Sequence, residues 1–279
     1  MAEPVMLVTG STDGIGKVTA TELALGGAAV ILHGRDDKKG RRVQKELEQK
    51  TGTRPDLVIA DYSRQDQIRS MAADIASRYT RLDVLVNDAG TYQKARHATQ
   101  EGVEFTFAVN YLGPFLLTHL LLPLLGKGSR IVTVASSAHF DVDRIDWDNL
   151  PQQRRYDPWG AYSLSKFADI TFTYTLARNL GESGITANCL HPGVVNTKLS
   201  RSVAPGIATI TPEEGAQTSI YLACSPEVAG VSGRYFDEKR PVRSSALSHD
   251  RGVQERLWKM AEELTGIKGE EINVYGTRS

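Results

Sequence analysis

A tyrosine and a lysine four residues apart are the side chains of this sequence best suited to proton transfer. Tyr162 and Lys166 lie at the start of a predicted helix, in the segment Tyr-Ser-Leu-Ser-Lys, where this spacing places both on one face. A free phenol has a pKa near ~10, and a neighbouring ammonium stabilises the phenolate, so Tyr162 could act as an acid or base near neutrality. The same pair arises by chance about once in a chain of this length, so its surroundings decide its meaning.

Two serines could hold a carbonyl group beside that tyrosine. Ser136 and Ser137 follow the predicted strand 130–135, and ligands of open α/β sheets bind at the carboxyl ends of strands. A serine hydroxyl there can donate a hydrogen bond to a carbonyl oxygen. His139 and His191 lie nearby, but we interpret them as hydrogen-bonded loop residues and not as catalysts, because Tyr162 already fills the acid role.

A glycine-rich turn follows directly on the first predicted strand and leads into a helix. Gly10 allows a tight turn, Gly14 allows close approach of a pyrophosphate, and Gly16 allows the helix to pack on the strand. Backbone N–H groups and the positive end of the helix would then face the phosphates. The turn therefore predicts a dinucleotide site formed by Gly10, Ser11, Thr12, Gly14, Ile15 and Gly16.

The end of the second predicted strand bears on the choice of dinucleotide. Sites for NAD usually place an acid there, whereas the 2′-phosphate of NADP needs a cation. Gly34 and Arg35 stand at this position and favour NADP(H) over NAD(H), although Arg35 could instead open a solvated turn. Asp13 favours NAD, because a carboxylate on the phosphate loop would repel a 2′-phosphate.

Strand-length apolar runs alternate with helical periodicity along most of the chain. This pattern predicts an α/β fold, a doubly wound, mostly parallel seven-stranded sheet with helices on both faces. The predicted strands are 5–9, 29–32, 56–59, 82–87, 130–135, 185–190 and 233–236. The predicted helices are 15–25, 37–50, 65–78, 102–125, 161–180 and 212–223, and a final one lies within 250–265.

The composition points to a small-molecule partner. The 279 residues are 41% hydrophobic and 24% charged, and 33 Lys and Arg balance 33 Asp and Glu, so we expect no nucleic-acid partner. Cys189 and Cys224 stand in apolar stretches without a second thiol or histidine at metal spacing, so we expect no disulfide, no metal and a cytoplasmic location.

No membrane anchor is expected either. The chain shows no signal-peptide pattern, and the longest apolar segment, 116–125, is short of the ~20 residues that a span needs. We expect a single domain over 1–279. Within it, a substrate loop lies at about 195–210, and a C-terminal helical tail lies at about 250–279.

In the order of its motifs, the chain resembles the short-chain dehydrogenase/reductase family from residue 5 to about 240. The shared motifs are Thr-Gly-x-x-x-Gly-Ile-Gly at 9–16, Asp61, Asn87-Asp88-Ala89-Gly90, Asn110, Ser137, Tyr162-x-x-x-Lys166 and Pro192-Gly193. Asp88 departs from the commoner Asn-Asn-Ala-Gly. The resemblance implies a Rossmann fold and hydride transfer with NAD(P).

The resemblance also implies a role for each matching position. Among the catalytic residues, Ser137 would orient the substrate carbonyl and Tyr162 would donate its proton during reduction. Lys166 would bind the nicotinamide ribose and favour the phenolate, and Asn110 would hold a helix kink and a water of a proton relay. For the cofactor, Asp61 would contact the adenine edge, and Asn87, Ala89 and Gly90 would shape the wall beside the adenosine ribose. Val195 and Thr197 would meet the carboxamide, and Tyr62, Pro192 and Gly193 would complete the cofactor-binding residues. The family's long helices imply a homodimer or homotetramer.

Within the family, the chain is similar to the branch of retinol dehydrogenases and WW-domain-containing oxidoreductases. Ser-Ser-Ala-His at 136–139, the long gap to Tyr162 and Gly-Arg-Tyr-Phe at 233–236 carry this similarity. It implies a small apolar carbonyl or alcohol substrate, with Phe140, Trp147 and Trp159 as candidate pocket residues. The alternative is a non-catalytic module that senses NADP.

Overall fold

Eight strands form one sheet in the computed structural model, which describes residues 3–150, 155–203, 206–207 and 209–267. In chain order they are β1 Val5–Val8, β2 Ala29–Gly34, β3 Asp56–Ile59, β4 Leu82–Asn87, β5 Leu125–Val134, β6 Thr186–His191, β7 Tyr235–Asp237 and β8 Arg240–Val242. Their spatial order is β3-β2-β1-β4-β5-β6-β7-β8, and every neighbouring pair is parallel except β7 and β8.

Helices cover both faces of this sheet. They are α1 Gly14–Leu25, α2 Asp37–Thr51, α3 Gln65–Arg78, α4 Phe105–Phe107, α5 Gly113–Leu121, α6 Pro158–Leu180, α7 Lys198–Val203, α8 Pro212–Cys224 and α9 Arg251–Thr265. Alternate strand residues enter separate cores: Leu7 and Leu85 pack towards α3, α5, α6 and α9, whereas Val8 and Val86 pack towards α1, α2 and α8. The doubly wound α/β prediction is therefore confirmed.

The predicted number of strands, seven, is too low by one. β8 pairs antiparallel with β7 through a tight hairpin whose turn residues, Glu238 and Lys239, have φ of 46° and 65°. The strand is three residues long, exposed and contains Pro241. It has neither the apolar alternation of a strand nor the Asn-Gly that usually marks such a turn, and this is why the sequence pattern did not reveal it.

The predicted helix 102–125 is also corrected. It begins at Phe105, where the buried Glu104 carboxylate accepts the backbone N–H groups of Thr106 and Phe107 at 2.9 and 2.7 Å. A π-helical turn, Ala108–Leu112, separates α4 from α5, and β5 already begins at Leu125. A mid-helix insertion of this kind leaves the apolar pattern intact, so periodicity alone cannot locate it.

Among the described residues, one segment is long and apolar enough to cross a membrane, contrary to the expectation that none would be. It is Phe105–Leu124, and 83% of its most apolar window is buried inside the structure. Its side chains pack against α3, α6 and α9. The apolar character of this segment is thus accounted for by the core of the fold.

The expected substrate loop is anchored at its base. Val195 pairs with Ile210 in a parallel bridge, and α7 lies between them; residues 204, 205 and 208 of the loop lie outside the described residues. At the other end of the chain, α9 confirms the expected final helix and buries Leu257 and Trp258 against the core. Residues 268–279 of the expected tail lie outside the described residues, and the single domain over 1–279 stays a prediction.

Candidate active site

The glycine-rich turn has the backbone shape that a phosphate site requires. Gly10 and Gly14 have φ of +68° and +53°, and a Cβ on Gly10 would lie 2.8 Å from the Cα of Ala89. The first turn of α1 follows at Gly14 and brings the positive end of the helix dipole to this loop. These features fit the diphosphate of a dinucleotide, and a side chain at Gly10 would collide with the adjoining turn.

Thr9 connects this loop to the turn after β4. Its Oγ1 accepts hydrogen bonds from the backbone N–H groups of Asp88 and Ala89, both at 3.0 Å. Gly90 is exposed next to them. Asn87, in contrast, is buried and donates to Thr118 Oγ1 at 3.1 Å, so its side chain holds β4 to α5.

A buried histidine joins three segments of the predicted cofactor site. The Gly10 N–H donates to His33 Nδ1 at 3.2 Å, so the ring proton is on Nε2, which lies 3.1 Å from the Ala60 carbonyl oxygen. Burial lowers the pKa of His33 to about 4 and keeps the ring neutral. The ring stacks on Tyr62 at 4.8 Å between centroids.

Asp61 and Tyr62, two predicted cofactor-binding residues that follow β3, differ in their exposure. Asp61 is half-buried, and its Oδ1 accepts from the N–H and hydroxyl of Ser63 at 2.9 and 2.8 Å. The Tyr62 ring is buried between His33 and Gly113. Any contact of Tyr62 with a cofactor would therefore be made by its backbone.

Arg35 and Asp13 carry the two charges that bear on the choice between NADP and NAD. Arg35 is exposed just after β2 and forms no ion pair with the described residues. Asp13 caps α1 through its Oδ1 and pairs with Lys198 of α7 at 3.1 Å. Burial raises the pKa of Asp13, but Lys198, the Gly14 N–H and Lys39 together bring it below its usual value.

Asp88 places a carboxyl group beside the first turn of α1. A Cβ on Gly16 would collide with its Oδ2. Burial raises the pKa of Asp88 to about 7, although the Lys166 ammonium and the Gly16 N–H oppose this shift. The carboxyl group therefore gains and loses its proton near neutrality.

The predicted catalytic pair is held on the first turns of α6. Tyr162 is buried between Tyr92 and Trp159, with ring centroids 5.9 and 5.8 Å away. One turn further, the Lys166 ammonium is buried and donates to the Val134 carbonyl at 2.8 Å and to Asp169 Oδ2 at 3.0 Å. Asp169 was not among the predicted site residues.

Ser137 stands at the carboxyl end of β5, as expected. It is exposed, its N–H donates to His191 Nδ1 at 3.1 Å, and its 3₁₀ turn packs against α6. His139 donates from Nδ1 to the Ser136 carbonyl at 2.7 Å and accepts from the Ser245 N–H at 3.1 Å. His139 thus lies in a turn and His191 at the end of β6, both are hydrogen-bonded, and burial lowers the pKa of each.

Asn110 lies at the centre of the π-helical turn. Its Oδ1 accepts from the Thr91 N–H at 2.7 Å, and its Nδ2 donates to the Thr91 carbonyl at 3.0 Å and to Ser165 Oγ at 2.9 Å. The side chain thus bridges the segment after β4 and α6, next to Lys166. A hydrogen-bonded bridge of this kind fixes the helix irregularity between the two segments.

The segment after β6 contains the last group of predicted cofactor residues. Pro192 is half-buried, and Gly193 has φ +85°, where a Cβ would lie 2.6 Å from the Ile210 Cδ1. Val195 is buried against Gly215, so only its backbone faces away from the core. Thr197 lies over the phosphate loop, since a Cβ on Gly14 would approach its Cγ2 to 3.1 Å.

The comparisons with known proteins agree with this geometry. The family model for short chain dehydrogenases matches residues 4–208. The chain belongs to the short-chain dehydrogenase/reductase family. Mouse retinol dehydrogenase 14 is 39% identical and human polyprenol dehydrogenase 36%; the alignments cover 94% of this chain in both cases, and 86% and 85% of those proteins.

Solved structures superpose on the fold. An uncharacterized protein from Mycobacterium paratuberculosis has a TM-score of 0.80 at 32% identity, over 95% of this chain and 94% of that one. A Shigella flexneri short-chain dehydrogenase complexed with NADP has a TM-score of 0.71 at 28% identity, over 86% and 98%. The protein is therefore an NAD(P)-dependent oxidoreductase of the retinol dehydrogenase-like branch.

Proposed function

We propose that this enzyme is an NADPH-preferring reductase of apolar aldehydes and ketones, or oxidises the corresponding alcohols, with Tyr162 as the acid and base. The observation that carries the proposal is that the Tyr162 phenol and the buried Lys166 ammonium lie one turn apart on α6. The turn that contains Ser137 packs against the same helix. When bound, the nicotinamide would supply or accept the hydride.

The chain's own residues would handle the oxygen and its proton. Ser137 Oγ would donate a hydrogen bond to the carbonyl oxygen and hold it beside the phenol. Tyr162 Oη would give its proton to the oxygen during reduction and take it back during oxidation. Lys166 would stabilise the phenolate left behind.

Three observations support a preference for NADPH. Arg35 is exposed and without an ion pair among the described residues at the end of β2. Asp13, the acid that opposed this preference, is paired with Lys198. The Shigella flexneri structure holds NADP. A 2′-phosphate would therefore meet a cation at Arg35 and a neutralised carboxylate at Asp13.

The surface near Tyr162 supports an apolar substrate. Large hydrophobic side chains are exposed on the segments that follow β5 and β6 and at the start of α6: Phe140, Trp159, Val194, Ile207 and Ile210. Trp159 packs against the Tyr162 ring. The names of the two relatives, retinol and polyprenol dehydrogenase, also refer to apolar alcohols.

The cofactor arm of the test is a paired fluorescence titration with NADPH and NADH. Loss of a charge-assisted contact costs roughly 1.5–3 kcal/mol, so Arg35→Ala should weaken NADPH binding at least ~10-fold and leave NADH binding unchanged. Arg78→Ala removes the same charge beside Asp56 at the amino end of the sheet and should change neither. Equal binding of both coenzymes by the wild type would contradict the preference.

The catalytic arm measures carbonyl reduction across a panel of apolar aldehydes and ketones. Tyr162→Phe should lower turnover at least ~100-fold while NADPH still binds, whereas Tyr92→Phe removes a neighbouring hydroxyl and should retain turnover. Wild-type turnover in Tyr162→Phe would refute the mechanism. Tight NADPH binding without turnover of any carbonyl by the wild type would instead support an NADP-sensing module.

Location and assembly are part of the proposal as well. A cytoplasmic location is proposed because the sequence contains only two cysteines, Cys189 and Cys224, and no disulfide pattern. A homodimer or homotetramer is expected from the long helices of this family, and light scattering on the eluting protein would determine the number of subunits.

A further inference from the structure

A buried carboxylate continues the line of catalytic side chains along α6. Asp169 follows Lys166 by three residues and Tyr162 by seven, so all three lie on one face of the helix. Asp169 and Lys166 are 1% and 6% exposed at their side chains. A carboxylate in such a place is costly unless it is paired, and its partner here is the catalytic ammonium.

The hydrogen bonds of Lys166 leave one donor for a ligand. An ammonium has three N–H groups; one goes to the Val134 carbonyl and one to Asp169 Oδ2. The Nζ also lies 3.9 Å from the position of a Cβ on Gly90, which is exposed in the wall of the cleft. Asp169 therefore fixes the direction in which the remaining N–H points.

Asp169 and Lys166 each face further titratable groups. Asp169 faces Tyr111 of the π-helical turn and Cys189 of β6, and burial raises the pKa of both above the usual range. Lys166 faces Tyr162 and Asp88. Burial would lower the pKa of Lys166, but Asp169 and these groups outweigh that effect and raise it.

We propose that Asp169 is a positioning residue, which holds the Lys166 ammonium in place and weakens its electrostatic effect on the Tyr162 hydroxyl. The inference rests on the proposed catalytic role of Tyr162. It means that the pH range of turnover depends on three groups of α6, and that the third is a carboxylate whose other oxygen, Oδ1, has no hydrogen-bond partner among the described residues.

The size of the effect follows from helix geometry. Seven residues at 1.5 Å each separate Tyr162 and Asp169 by about 10.5 Å. A unit charge at that distance, with an effective dielectric constant of about 20, changes the ionisation of a phenol by about one pH unit. Removing the Asp169 charge should therefore make the Tyr162 phenolate form at a pH about one unit lower.

The experiment is an absorbance titration of phenolate at alkaline pH, on the protein without cofactor. The Tyr162 signal is isolated by subtracting the titration of Tyr162→Phe made in the same background. In Asp169→Asn, whose amide keeps an acceptor for Lys166, the Tyr162 midpoint should fall by about one pH unit. Asp83→Asn removes a half-buried carboxylate at the amino end of β4 and should leave it unchanged.

Asp169→Leu provides a second variant of similar size without an acceptor. Because Leu leaves the Lys166 ammonium without the acceptor that holds it, the midpoint should fall less in Leu than in Asn, and the alkaline limit of carbonyl reduction should move with the midpoint in each variant. An unchanged or higher midpoint in folded Asp169→Asn, or a fall in Leu as large as that in Asn, overturns the proposal, even if thermal stability changes. Absence of any carbonyl reduction by the wild type would refute the proposed function alone, because the titration needs no turnover.

Discussion

Replacing Gly10 by alanine tests whether cofactor binding depends on the backbone of the phosphate loop. Gly10 has φ +68°, and an added Cβ would lie 2.8 Å from the Cα and 3.0 Å from the backbone N of Ala89. The Ala89 N–H is bonded to Thr9 Oγ1, so the crowded backbone cannot move aside as a flexible side chain would. Gly52 is the matched control, since it has φ +75° and nothing within 4 Å of an added Cβ.

The two substitutions separate backbone conformation from crowding. A left-handed conformation costs a non-glycine residue roughly 1 kcal/mol, and this is the only cost that Gly52→Ala should show. Gly10→Ala adds overpacking of roughly 1–3 kcal/mol. At about 2 °C per kcal/mol for a domain of this size, the melting temperature should fall by about 2 °C in Gly52→Ala and by about 4–8 °C in Gly10→Ala.

NADPH titration and thermal unfolding, with and without saturating NADPH, measure both effects. Relief of the collision requires the loop and the Ala89 turn to separate, so Gly10→Ala should weaken NADPH binding by at least about 10-fold. Gly52→Ala should bind NADPH as the wild type does. If Gly10→Ala matches Gly52→Ala in affinity, the close approach of the two turns does not shape the cofactor site.

Three further outcomes follow from the site. His33 has a pKa of about 4 in the folded protein and about 6.5 in the unfolded chain, so the unfolded chain binds more protons between these pH values. The free energy of unfolding, measured in urea, should therefore fall by up to about 1.4 kcal/mol per pH unit as the pH drops from 6.5 to 4. In His33→Asn this fall should be smaller. NADPH affinity should fall from pH 6 to pH 8 as Asp88, with a pKa of about 7, ionises; in Asp88→Asn, titrations at the two pH values should agree. Trp159→Ser should raise KM for long apolar alcohols about 10-fold relative to short ones, whereas Leu264→Ser, exposed on α9, should not.

Strands and helices were predictable where burial imposes a simple period. β1, β2 and β4 are buried on both faces, and their continuous apolar runs indicate them to within two residues at each end. β8 has no buried side chain, so the antiparallel edge left no hydrophobic pattern. The π-helical turn is fixed by Asn110 bonds to Thr91 and Ser165, which no local spacing encodes.

The residues of the candidate site were likewise predictable only where a local sequence pattern marks them. Tyr162 and Lys166 share one helix face, and the glycines of the phosphate loop are neighbours in sequence, so both groups have a local pattern. The hydrogen bonds from the Gly10 N–H to His33 and from the Ala89 N–H to Thr9 connect neighbouring strands and depend on the order of the sheet. Asp169 had the right spacing from Lys166, but a charged residue on a helix is usually solvated, and only its burial shows otherwise.

Two carboxyl groups beside Lys166 link the proposed cofactor site to the proposed catalytic residues of α6. Asp88 and Asp169 both act on one ammonium, so with both carboxylates ionised the cluster carries one net negative charge in a largely dry place. Burial raises the pKa of each carboxyl group, to about 7 and about 6. Asp88 is the one beside the first turn of α1, where phosphates are proposed to bind, and an anion there disfavours its ionisation further. Binding of the cofactor should therefore be coupled to uptake of a proton by Asp88, and reciprocity requires affinity to fall as that proton is lost.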